Sequence, residues 1–311
     1  MTLLCILLAL LFLAYVLTWI PAPSAPLHPR IAHYDSRPPA QPGPAAPIPK
    51  IIWSYWHAGQ PPEVVRACLR NWARFNPGYA INLVSATRLA EFVEMAEIPP
   101  SFQHSSPARQ SDWLRLYLLR RYGGIWLDAS IILTRSLDWM LEAQAQDRAD
   151  YVGFYLDKYT VRPDRPVMDS WCMAAPPRNP FVSAWFAELH QGGFITGDAA
   201  YLQTLTAQGQ AKEVLQNIAS PGYMLIHVTG QQVLQRGTPC RLHLVRAEDS
   251  AYFYQALQGW RWKRLGLFLS LLVLEKPSHM PALIKLRGGE RRKLEPYLQK
   301  QLYTGRSIAG Q

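Results

Sequence analysis

The segment SDWLRLYLLRRYGGIWLDAS, residues 111–130, constrains the fold more than any other part of the chain. Apolar residues recur at helical spacing up to Tyr122, two glycines follow, and an apolar run then continues to Leu133. Glycine directly after a periodic apolar segment is typical of a helix C-terminus. A short apolar run bounded by such a signal is typical of a buried strand. The segment therefore predicts a helix that enters a strand through a Gly-Gly turn, with the carboxylate of Asp128 inside the apolar run.

Strand-like and helix-like segments alternate on both sides of this passage. Each predicted strand is a short apolar run, and each predicted helix has apolar residues at helical spacing. In chain order we predict strands over 51–55, 80–85, 125–133, 151–157 and 167–175, and helices over 61–78, 86–97, 106–122, 179–193 and 199–220. The order of these elements predicts an α/β layered domain with a mostly parallel sheet.

Charge and cysteine content exclude several classes of protein. The 311 residues include 32 basic and 22 acidic side chains, a formal net charge of +10. A positive balance suits nucleic acid, an anionic membrane surface or phosphate-bearing small substrates. The sequence has no zinc-finger spacing, RNP motif or long basic helix, so we predict no nucleic-acid partner. The cysteines form no CxxC pair, which argues against a metal cluster or a disulfide framework; they are Cys5, Cys68, Cys172 and Cys240.

The first twenty residues carry no charged side chain. As a helix they would span roughly 27–30 Å, which is close to the thickness of a bilayer core. We predict a retained transmembrane anchor over 1–20, because a cleaved signal peptide usually has a basic start and a shorter apolar core. Basic residues follow this run and none precede it, so the positive-inside rule predicts a cytoplasmic domain. The Pro- and Ala-rich residues 21–47 predict an extended spacer, and the folded domain is expected over 48–258.

The C-terminal segment 259–311 differs in character from the predicted domain. It begins with GWRWKRLGLFLSLLVLEK, whose uncharged part, residues 265–274, is too short to span a bilayer. One interpretation is an amphipathic helix in the membrane interface, with Arg261, Lys263 and Arg264 near anionic headgroups. The other is a core helix with a solvated basic end, and the sequence leaves both open.

Three charged residues around the Gly-Gly turn are candidates for a binding site. Ligands of open parallel sheets bind at the carboxyl edge of the strands, which is where Asp128 is expected. Asp112 and Arg115 are three residues apart and therefore share one face of the preceding helix. The alternatives are a buried carboxylate satisfied by backbone amides for Asp128, and a local ion pair for Asp112 and Arg115.

These residues carry a resemblance to a known family. SDWLRLYLLRRYGGIWLDAS is similar to the S-D-x-x-R-x-x-x-L-x-x-x-G-G-x-x-x-D-x-[DST] block of sugar-nucleotide glycosyltransferases with a DXD-containing sugar-binding region. IPKIIWSYWHAGQPPE, residues 48–63, looks like the opening strand of the same group. The chain most resembles the bacterial capsular polysaccharide synthesis branch. Its relatives resemble family 32 glycosyltransferases and, more distantly, the glucosylating clostridial toxins.

The resemblance implies a GT-A fold, a Rossmann-like domain that binds a nucleoside diphosphate sugar at the carboxyl edge of its sheet. Trp56 matches the tryptophan that stacks on the nucleobase, and Asp112 and Arg115 match the pair that hydrogen-bonds the donor sugar. Asp128 matches the first aspartate of the DXD motif, which contacts ribose and sugar hydroxyls or the metal shell. The resemblance also implies transfer with retention of the anomeric configuration, for which we name no catalytic base.

The second carboxylate of the DXD motif is replaced by Ser130, whose hydroxyl is a poorer ligand for a hard dication. Two outcomes stay open. In the first, Mg²⁺ or Mn²⁺ is held by phosphates, water, Asp128 and a later residue; the candidates are Glu248, Asp249, His227 and His279. In the second, cations of LIKLRGGERRK, residues 283–293, replace the metal. The alternative for this basic run is a solvated tail.

The sequence thus predicts a membrane-anchored hexosyltransferase of the bacterial inner membrane, with Asp112, Arg115 and Asp128 as catalytic residues. The predicted donor-binding residues are Trp56, Asp112, Arg115, Asp128 and Ser130, and Asp128 is the predicted metal ligand. It would transfer a sugar from a nucleotide-diphosphate donor, expected to be a UDP-sugar, to a surface polysaccharide or lipid-linked glycan. One alternative is a non-catalytic nucleotide-sugar- or carbohydrate-binding subunit of a polysaccharide assembly complex, for which Ser130 argues. Another is a peripheral membrane scaffold.

Overall fold

The computed structural model describes residues 2–38, 46–257, 259–261 and 263–310. Its strands are β1 (Ile31–Asp35), β2 (Ile51–Tyr55), β3 (Ala80–Val84), β4 (Gly124–Leu127), β5 (Ile131–Leu133), β6 (Tyr151–Tyr155), β7 (Met168–Ala175), β8 (Arg241–Arg246) and β9 (Leu283–Lys285). Its α-helices are α1 (Thr2–Leu17), α2 (Glu63–Phe75), α3 (Pro107–Tyr122), α4 (Asp138–Asp147), α5 (Pro180–Leu189), α6 (Asp198–Ala207), α7 (Ala211–Leu215), α8 (Leu225–Gln235), α9 (Phe253–Ala256), α10 (Lys263–Leu272) and α11 (Gly288–Gln299).

Seven strands form one sheet in the order β1-β8-β6-β7-β4-β2-β3, and β5 and β9 form a second, small sheet. Strand β2 is parallel to β3 and β4, and β6 is parallel to β8. Strand β7 is antiparallel to both of its neighbours, and β1 is antiparallel to β8. The α/β prediction is confirmed, but the sheet is mixed and not mostly parallel. The reason is that β6 and β7 follow each other without the crossover helix that a parallel pair requires.

Helices cover both faces of the large sheet, because side chains of successive strand residues point to opposite faces. Trp126 packs with α3, α5 and α8, whereas Ile125 and Leu127 pack with α2 and α4. Several of the largest side chains are fully buried in these two layers, among them Trp72, Trp113, Trp126 and Trp185. Two hydrophobic clusters therefore cover the two faces of the large sheet, and a third lies around α10, β9 and α11.

The predicted Gly-Gly turn between α3 and β4 is confirmed. Gly123 and Gly124 have φ angles of 65° and 102°, a region that side-chain-bearing residues rarely adopt. A Cβ atom on Gly124 would also lie 2.6 Å from the carbonyl oxygen of Ile51. The strand after the turn is shorter than predicted, since β4 ends at Leu127 and β5 pairs with β9 in the second sheet. Asp128 therefore lies in the connection between two sheets, not inside one strand.

The helix predicted over 86–97 is also wrong. Two short 3₁₀ helices, Ala86–Glu91 and Met95–Glu97, take its place. Between them Glu94 is extended and its backbone amide donates to the Tyr117 hydroxyl at 3.1 Å. A tertiary contact with α3 thus replaces the hydrogen bond that would continue the helix.

The predicted N-terminal anchor is a further correction. Helix α1 has 16 residues, about 24 Å at the usual helical rise, and the bilayer core is about 30 Å thick. In the described part of the chain, no helix combines the length and apolar character that a membrane crossing needs. The chain leaves the helix in a turn, and Pro21 bridges to Glu275. The predicted single-pass anchor, and the inner-membrane location with a cytoplasmic domain that followed from it, are therefore wrong.

Two predicted boundaries also differ from the structure. Ile31–Asp35, within the predicted spacer over 21–47, forms the edge strand β1, while residues 39–45 lie outside the described residues. The segment 259–311 supplies α10, β9 and α11 to the same domain. Leu267 and Leu271 of α10 are fully buried, which agrees with the core-helix interpretation of this segment.

Candidate functional site

A cleft of about 600 Å³ opens at the sheet edge where β2 and β4 end and β7 begins. Its walls combine acidic, basic and aromatic side chains. The acidic residues are Asp112, Asp128 and Asp169; the basic ones are Arg115, Lys158, Lys285, Arg287, Arg291 and Arg292; and the aromatic rings include Trp56, Tyr159, Trp171, Tyr252 and Trp260. Such a cleft suits a ligand that carries both hydroxyl and phosphate groups.

One side of the cleft, the motif wall, consists of Ser111, Asp112, Arg115 and Asp128. The Arg115 guanidinium lies 3.2 Å from an Asp112 carboxylate oxygen and 3.3 Å from an Asp128 carboxylate oxygen. Asp112 and Arg115 come from α3, and Asp128 follows β4 directly. The structure therefore brings these three predicted side chains together in one cleft. Their roles with a ligand stay predictions.

Arg115 is fixed from several directions and is 5% exposed. Its guanidinium donates to the Ser170 carbonyl at 2.9 Å and to the Ser111 hydroxyl at 3.0 Å, and it lies 5.2 Å from the Trp126 ring centroid. Arg115 therefore forms the local ion pair with Asp112 and, in addition, contacts a carboxylate of a second element, Asp128.

Asp128 is held by side chains and not mainly by backbone amides. Lys285 donates to one carboxylate oxygen at 2.6 Å, and the Trp126 indole donates to the other at 3.1 Å. Burial raises the pKa of Asp128, but Lys285 and Arg115 outweigh burial and hold the pKa below its ordinary value. Asp128 is therefore tolerated in an apolar region because two cations neutralise it.

Asp112 has the opposite electrostatic balance. Burial raises the pKa of its carboxyl above the ordinary value, and this effect outweighs the opposing effects of Arg115 and Arg109. The Arg109 guanidinium is 3.7 Å away and contacts Asp198 and the Gly222 carbonyl more closely. The two carboxylates of the motif wall therefore differ in how strongly their surroundings favour the charged form.

The opposite side, the C-terminal wall, consists of Lys285, Arg287, Arg291 and Arg292. Lys285 ends β9, and the other three lie at or within the first turns of α11, whose N-terminus faces the cleft through Gly288. Arg287 donates to Glu290 at 2.8 Å. Arg291 and Arg292 form no ion pair with any described residue, and burial lowers the pKa of Arg291. The N-terminus of a helix attracts anions, so this wall combines helix dipole and side-chain charge.

Trp56 lies between the two walls, directly after β2. The Arg291 guanidinium is 4.8 Å from its ring centroid, a cation–π distance. Its indole nitrogen is buried and finds no hydrogen-bond partner in the part of the chain that the structure describes. The ring therefore lines the cleft and is positioned by Arg291 and by the neighbouring ring of His57.

The cleft offers little to a divalent metal. Both carboxylate oxygens of Asp128 are engaged by Lys285 and by Arg115 and Trp126. Ser130 is 1% exposed, and its hydroxyl donates to the Leu286 carbonyl at 2.9 Å. A hard dication prefers several carboxylate oxygens, whereas the DXD-like motif here has one carboxylate, Asp128, which is already paired with cations. These residues do not fit a DXD-type Mg²⁺ or Mn²⁺ site.

Of the four candidates for a later metal ligand, His227 alone lines the cleft. Asp249 pairs with Arg30 and Arg246. Glu248 accepts from the backbone amides of residues 157 and 158, and His279 contacts the Ala25 carbonyl. Glu248, Asp249 and His279 are therefore structural residues elsewhere in the domain.

A second buried pair lies in the cleft, of which sequence reasoning named His227 but missed its partner Asp169. His227 Nε2 lies 3.1 Å from Asp169 Oδ1, and both residues are more than nine-tenths buried. Among the described residues, His227 Nδ1 has no partner. Asp169 follows the same pattern as Asp128, a carboxylate within an apolar run, and this signal could have identified it.

The fold and the cleft define an α/β protein with a charged ligand-binding edge, and comparison with known proteins gives its family. The sequence model of the capsular polysaccharide synthesis protein family matches residues 30–191, which are 162 of the 311 residues. The chain belongs to this family.

Two curated relatives are similar over part of the chain. An O-glycosyltransferase (braB) of Annulohypoxylon truncatum is 30% identical over 154 residues, 44% of this chain and 36% of that protein. An O-glycosyltransferase (PaGT) of Phomopsis amygdali is 30% identical over 140 residues, 40% of this chain and 34% of that protein. The matched region thus spans about a third of the length of these relatives.

Similar solved structures include two glycosyltransferases. The UDP-bound glycosyltransferase domain of the YGT toxin has a TM-score of 0.38 at 10% identity, covering 85% of this chain and 93% of that one. The PaToxG glycosyltransferase has a TM-score of 0.34 at 17% identity, covering 62% and 80%.

Proposed function

We propose that this protein is a glycosyltransferase of GT-A type, which transfers a hexose from a nucleotide-diphosphate donor, a UDP-sugar, to a glycan acceptor. The observation that carries the proposal is the pairing of the motif wall and the C-terminal wall across one cleft. The family match and the O-glycosyltransferase relatives support it.

In this proposal the motif wall binds the donor sugar. Ionised carboxylates accept short hydrogen bonds from hydroxyl groups, and Asp112 and Asp128 both line the cleft. Arg115 holds the two carboxylates in position and donates in a fixed planar geometry. The Ser130 hydroxyl donates to the Leu286 carbonyl and so connects the segment of the motif wall to the chain that follows β9.

The C-terminal wall binds the diphosphate, and Trp56 stacks on the nucleobase. Departure of the nucleoside diphosphate places negative charge on its phosphate oxygens, and fixed cations stabilise that charge. Arg291, Arg292 and the N-terminus of α11 are suited to this role, because neither arginine is neutralised by a described carboxylate. Arg291 and Trp56 are in contact, so base and phosphate would bind next to each other.

We propose that the cations of the C-terminal wall replace a divalent metal. The Lys285 ammonium lies 2.6 Å from an Asp128 carboxylate oxygen. A dication bound to a DXD motif would need that oxygen as a ligand, so Lys285 occupies the position of the metal. Of the two outcomes that the sequence left open, this arrangement favours the second. Transfer without added Mg²⁺ or Mn²⁺ is therefore expected.

A neighbouring cavity of about 320 Å³ suits the acceptor. It shares Asp112 and Tyr223 with the cleft and is also lined by Ser106, Arg109 and Asp198. A glycan hydroxyl bound there would lie next to the donor sugar. We propose a surface polysaccharide or lipid-linked glycan as the acceptor, and retention of configuration, which NMR of the product would test.

The testing experiment is hydrolysis and transfer from a panel of UDP-sugars by the full chain, with Mn²⁺, with Mg²⁺ and with a chelator. Asp128→Asn is expected to lose about 100-fold or more in turnover, the size of effect seen when a group that stabilises the transition state is removed. Asp164→Asn is the matched control, since Asp164 is exposed, pairs with Arg162 and does not line the cleft. Full turnover by Asp128→Asn would reject the assignment.

The second candidate is a non-catalytic nucleotide-sugar-binding subunit, which the replacement of a DXD carboxylate by Ser130 favours. It predicts thermal stabilisation by a UDP-sugar and no hydrolysis or transfer under any metal condition. Turnover that Asp128→Asn abolishes would exclude it.

A further inference from the structure

A cluster of two histidines and an aspartate lies away from the cleft, at the opposite end of the strand order. His33 is on the edge strand β1, His243 is on β8, and Asp147 is the last residue of α4. Asp147 Oδ2 is 3.2 Å from His33 Nδ1 and 2.6 Å from His243 Nδ1. The three atoms lie within 4.8 Å of one another.

The backbone brings these side chains together. His33 and His243 are direct partners in the antiparallel β1–β8 pair, so their rings project from the same face of the sheet. The ring centroids are 5.3 Å apart in a T-shaped arrangement. Helix α4 packs on β8 and ends at Asp147, whose backbone carbonyl accepts from Arg241 at 3.0 Å. All three residues therefore sit on regular elements, which fixes the geometry of the cluster.

The three side chains offer two imidazole nitrogens and one carboxylate oxygen within 4.8 Å of one another, which are ligand types that zinc prefers. Zinc binds imidazole nitrogen and carboxylate oxygen at about 2.0–2.2 Å, so ligand atoms of a tetrahedral site lie about 3.3 Å apart. The separation of 3.2 Å between Asp147 and His33 is close to this value, whereas the 2.6 Å between Asp147 and His243 is shorter, so an entering ion would have to widen the second contact. His243 is 7% exposed, whereas the His33 side chain is 57% exposed, so an ion can enter from the solvent side. Water would complete the coordination.

We propose that His33, Asp147 and His243 bind a divalent transition metal of the zinc class. The ion would join β1, β8 and α4, which are far apart in sequence. Strand β1 is an edge strand with β8 as its neighbour in the sheet, so the metal would attach this N-terminal strand to the domain. The expected role is structural, because the site is separate from the cleft.

The alternative is a hydrogen-bonded cluster in which one carboxylate accepts from two imidazoles. That arrangement uses the same atoms, and direct metal binding distinguishes the two. Metal affinity depends on the number of ligands, so removal of one exposed ligand weakens a metal site strongly and leaves the fold in place.

The experiment is titration of the metal-free full chain with Zn²⁺ by calorimetry, together with Co²⁺ absorption, which reports tetrahedral coordination. We expect one equivalent to bind and to raise the Tm, and we expect His33→Ala to weaken binding at least tenfold and to remove the Tm increase. His104→Ala, at another exposed histidine, is the matched control and should behave like the wild type.

Absence of stoichiometric Zn²⁺ binding, or equal binding by wild type and His33→Ala, would overturn the proposal. His33 does not line the cleft, so its variant should retain donor hydrolysis, also in the presence of a chelator. Failure of the metal site and failure of the transferase assignment are thereby distinguishable.

Discussion

The two walls of the cleft reach the same space by different routes. The motif wall comes from one helix–turn–strand segment, residues 111–130, and its single guanidinium pairs with both of its carboxylates. The C-terminal wall comes from β9 and α11, and the contact between Asp128 and Lys285 joins residues 157 positions apart. Two cations of the C-terminal wall, Arg291 and Arg292, have no carboxylate partner among the described residues. The comparison teaches that a local motif can supply the sugar-binding acids, while the charge that balances a diphosphate comes from a distant part of the chain.

The largest effect is expected from removing the guanidinium that organises the motif wall. Arg115→Met leaves the buried Asp112 and the partly buried Asp128 with one cation fewer, and breaking a buried ion pair costs about 3–5 kcal/mol. Chemical denaturation should show a loss of this size together with loss of donor turnover. Arg115→Lys keeps the charge but cannot bridge both carboxylates, so it should recover part of the stability and little of the turnover. Wild-type stability of Arg115→Met would contradict the described geometry.

The next effect sharpens the role of the C-terminal wall. Lys285→Met removes the ammonium beside Asp128, and we expect turnover to fall about 100-fold, as for other groups that stabilise a leaving-group charge. Because the variant frees an Asp128 oxygen, Mn²⁺ should partly restore its activity. Mn²⁺ should not stimulate the activity of the wild type. Lys293→Met, at an exposed position on α11, is the matched control. Strong Mn²⁺ dependence of the wild type would show that Lys285 does not replace a metal.

A smaller effect, on the pH dependence of folding stability, is expected to have opposite signs for the two carboxylates of the motif wall. The pKa of Asp128 is lowered in the folded state, so its charge stabilises the fold at neutral pH, and this stability is lost as pH falls through the lowered pKa. The pKa of Asp112 is raised, so its charge costs stability above the raised pKa, and the cost disappears below the ordinary aspartate pKa.

Denaturation as a function of pH tests this difference. At pH 7, Asp128→Asn should be less stable than the wild type and Asp112→Asn more stable, although both should lose turnover. Both differences should vanish in strong acid. The same sign of change for both variants at neutral pH would contradict the described electrostatics.

The smallest effect is expected at the exposed rim of the C-terminal wall. Arg292→Ala removes a solvent-exposed cation that lines the cleft. Exposed charges contribute little and are screened by salt, so KM for the donor should rise about threefold at low salt and less at high salt. An unchanged kcat is expected, and a large loss of kcat would place Arg292 closer to the reacting atoms.

The sequence predicted the motif wall well because its determinants are local. Helical spacing placed Asp112 and Arg115 on one face, and the Gly-Gly turn placed Asp128 at the edge of the sheet. The partners of Asp128 were less accessible. Lys285 is next to it through the pairing of β5 with β9, and local patterns carry no information on which distant strands pair.

The errors have related causes. The transmembrane prediction counted twenty uncharged residues, but the helix ends at Leu17 and the chain then turns. The parallel sheet was inferred from alternation of elements, and the antiparallel position of β7 depends on tertiary contacts. The buried pair of Asp169 on β7 and His227 on α8 likewise joins residues that are 58 positions apart.

The most direct measurement compares the affinities of UDP and a UDP-sugar for variants of the two walls by calorimetry. If the motif wall binds the sugar and the C-terminal wall the diphosphate, Asp112→Asn should weaken the UDP-sugar at least tenfold and leave UDP unchanged, whereas Arg291→Ala should weaken both ligands by similar factors. Equal weakening of UDP and UDP-sugar by Asp112→Asn, or no effect of Arg291→Ala on UDP, would contradict this division of the cleft.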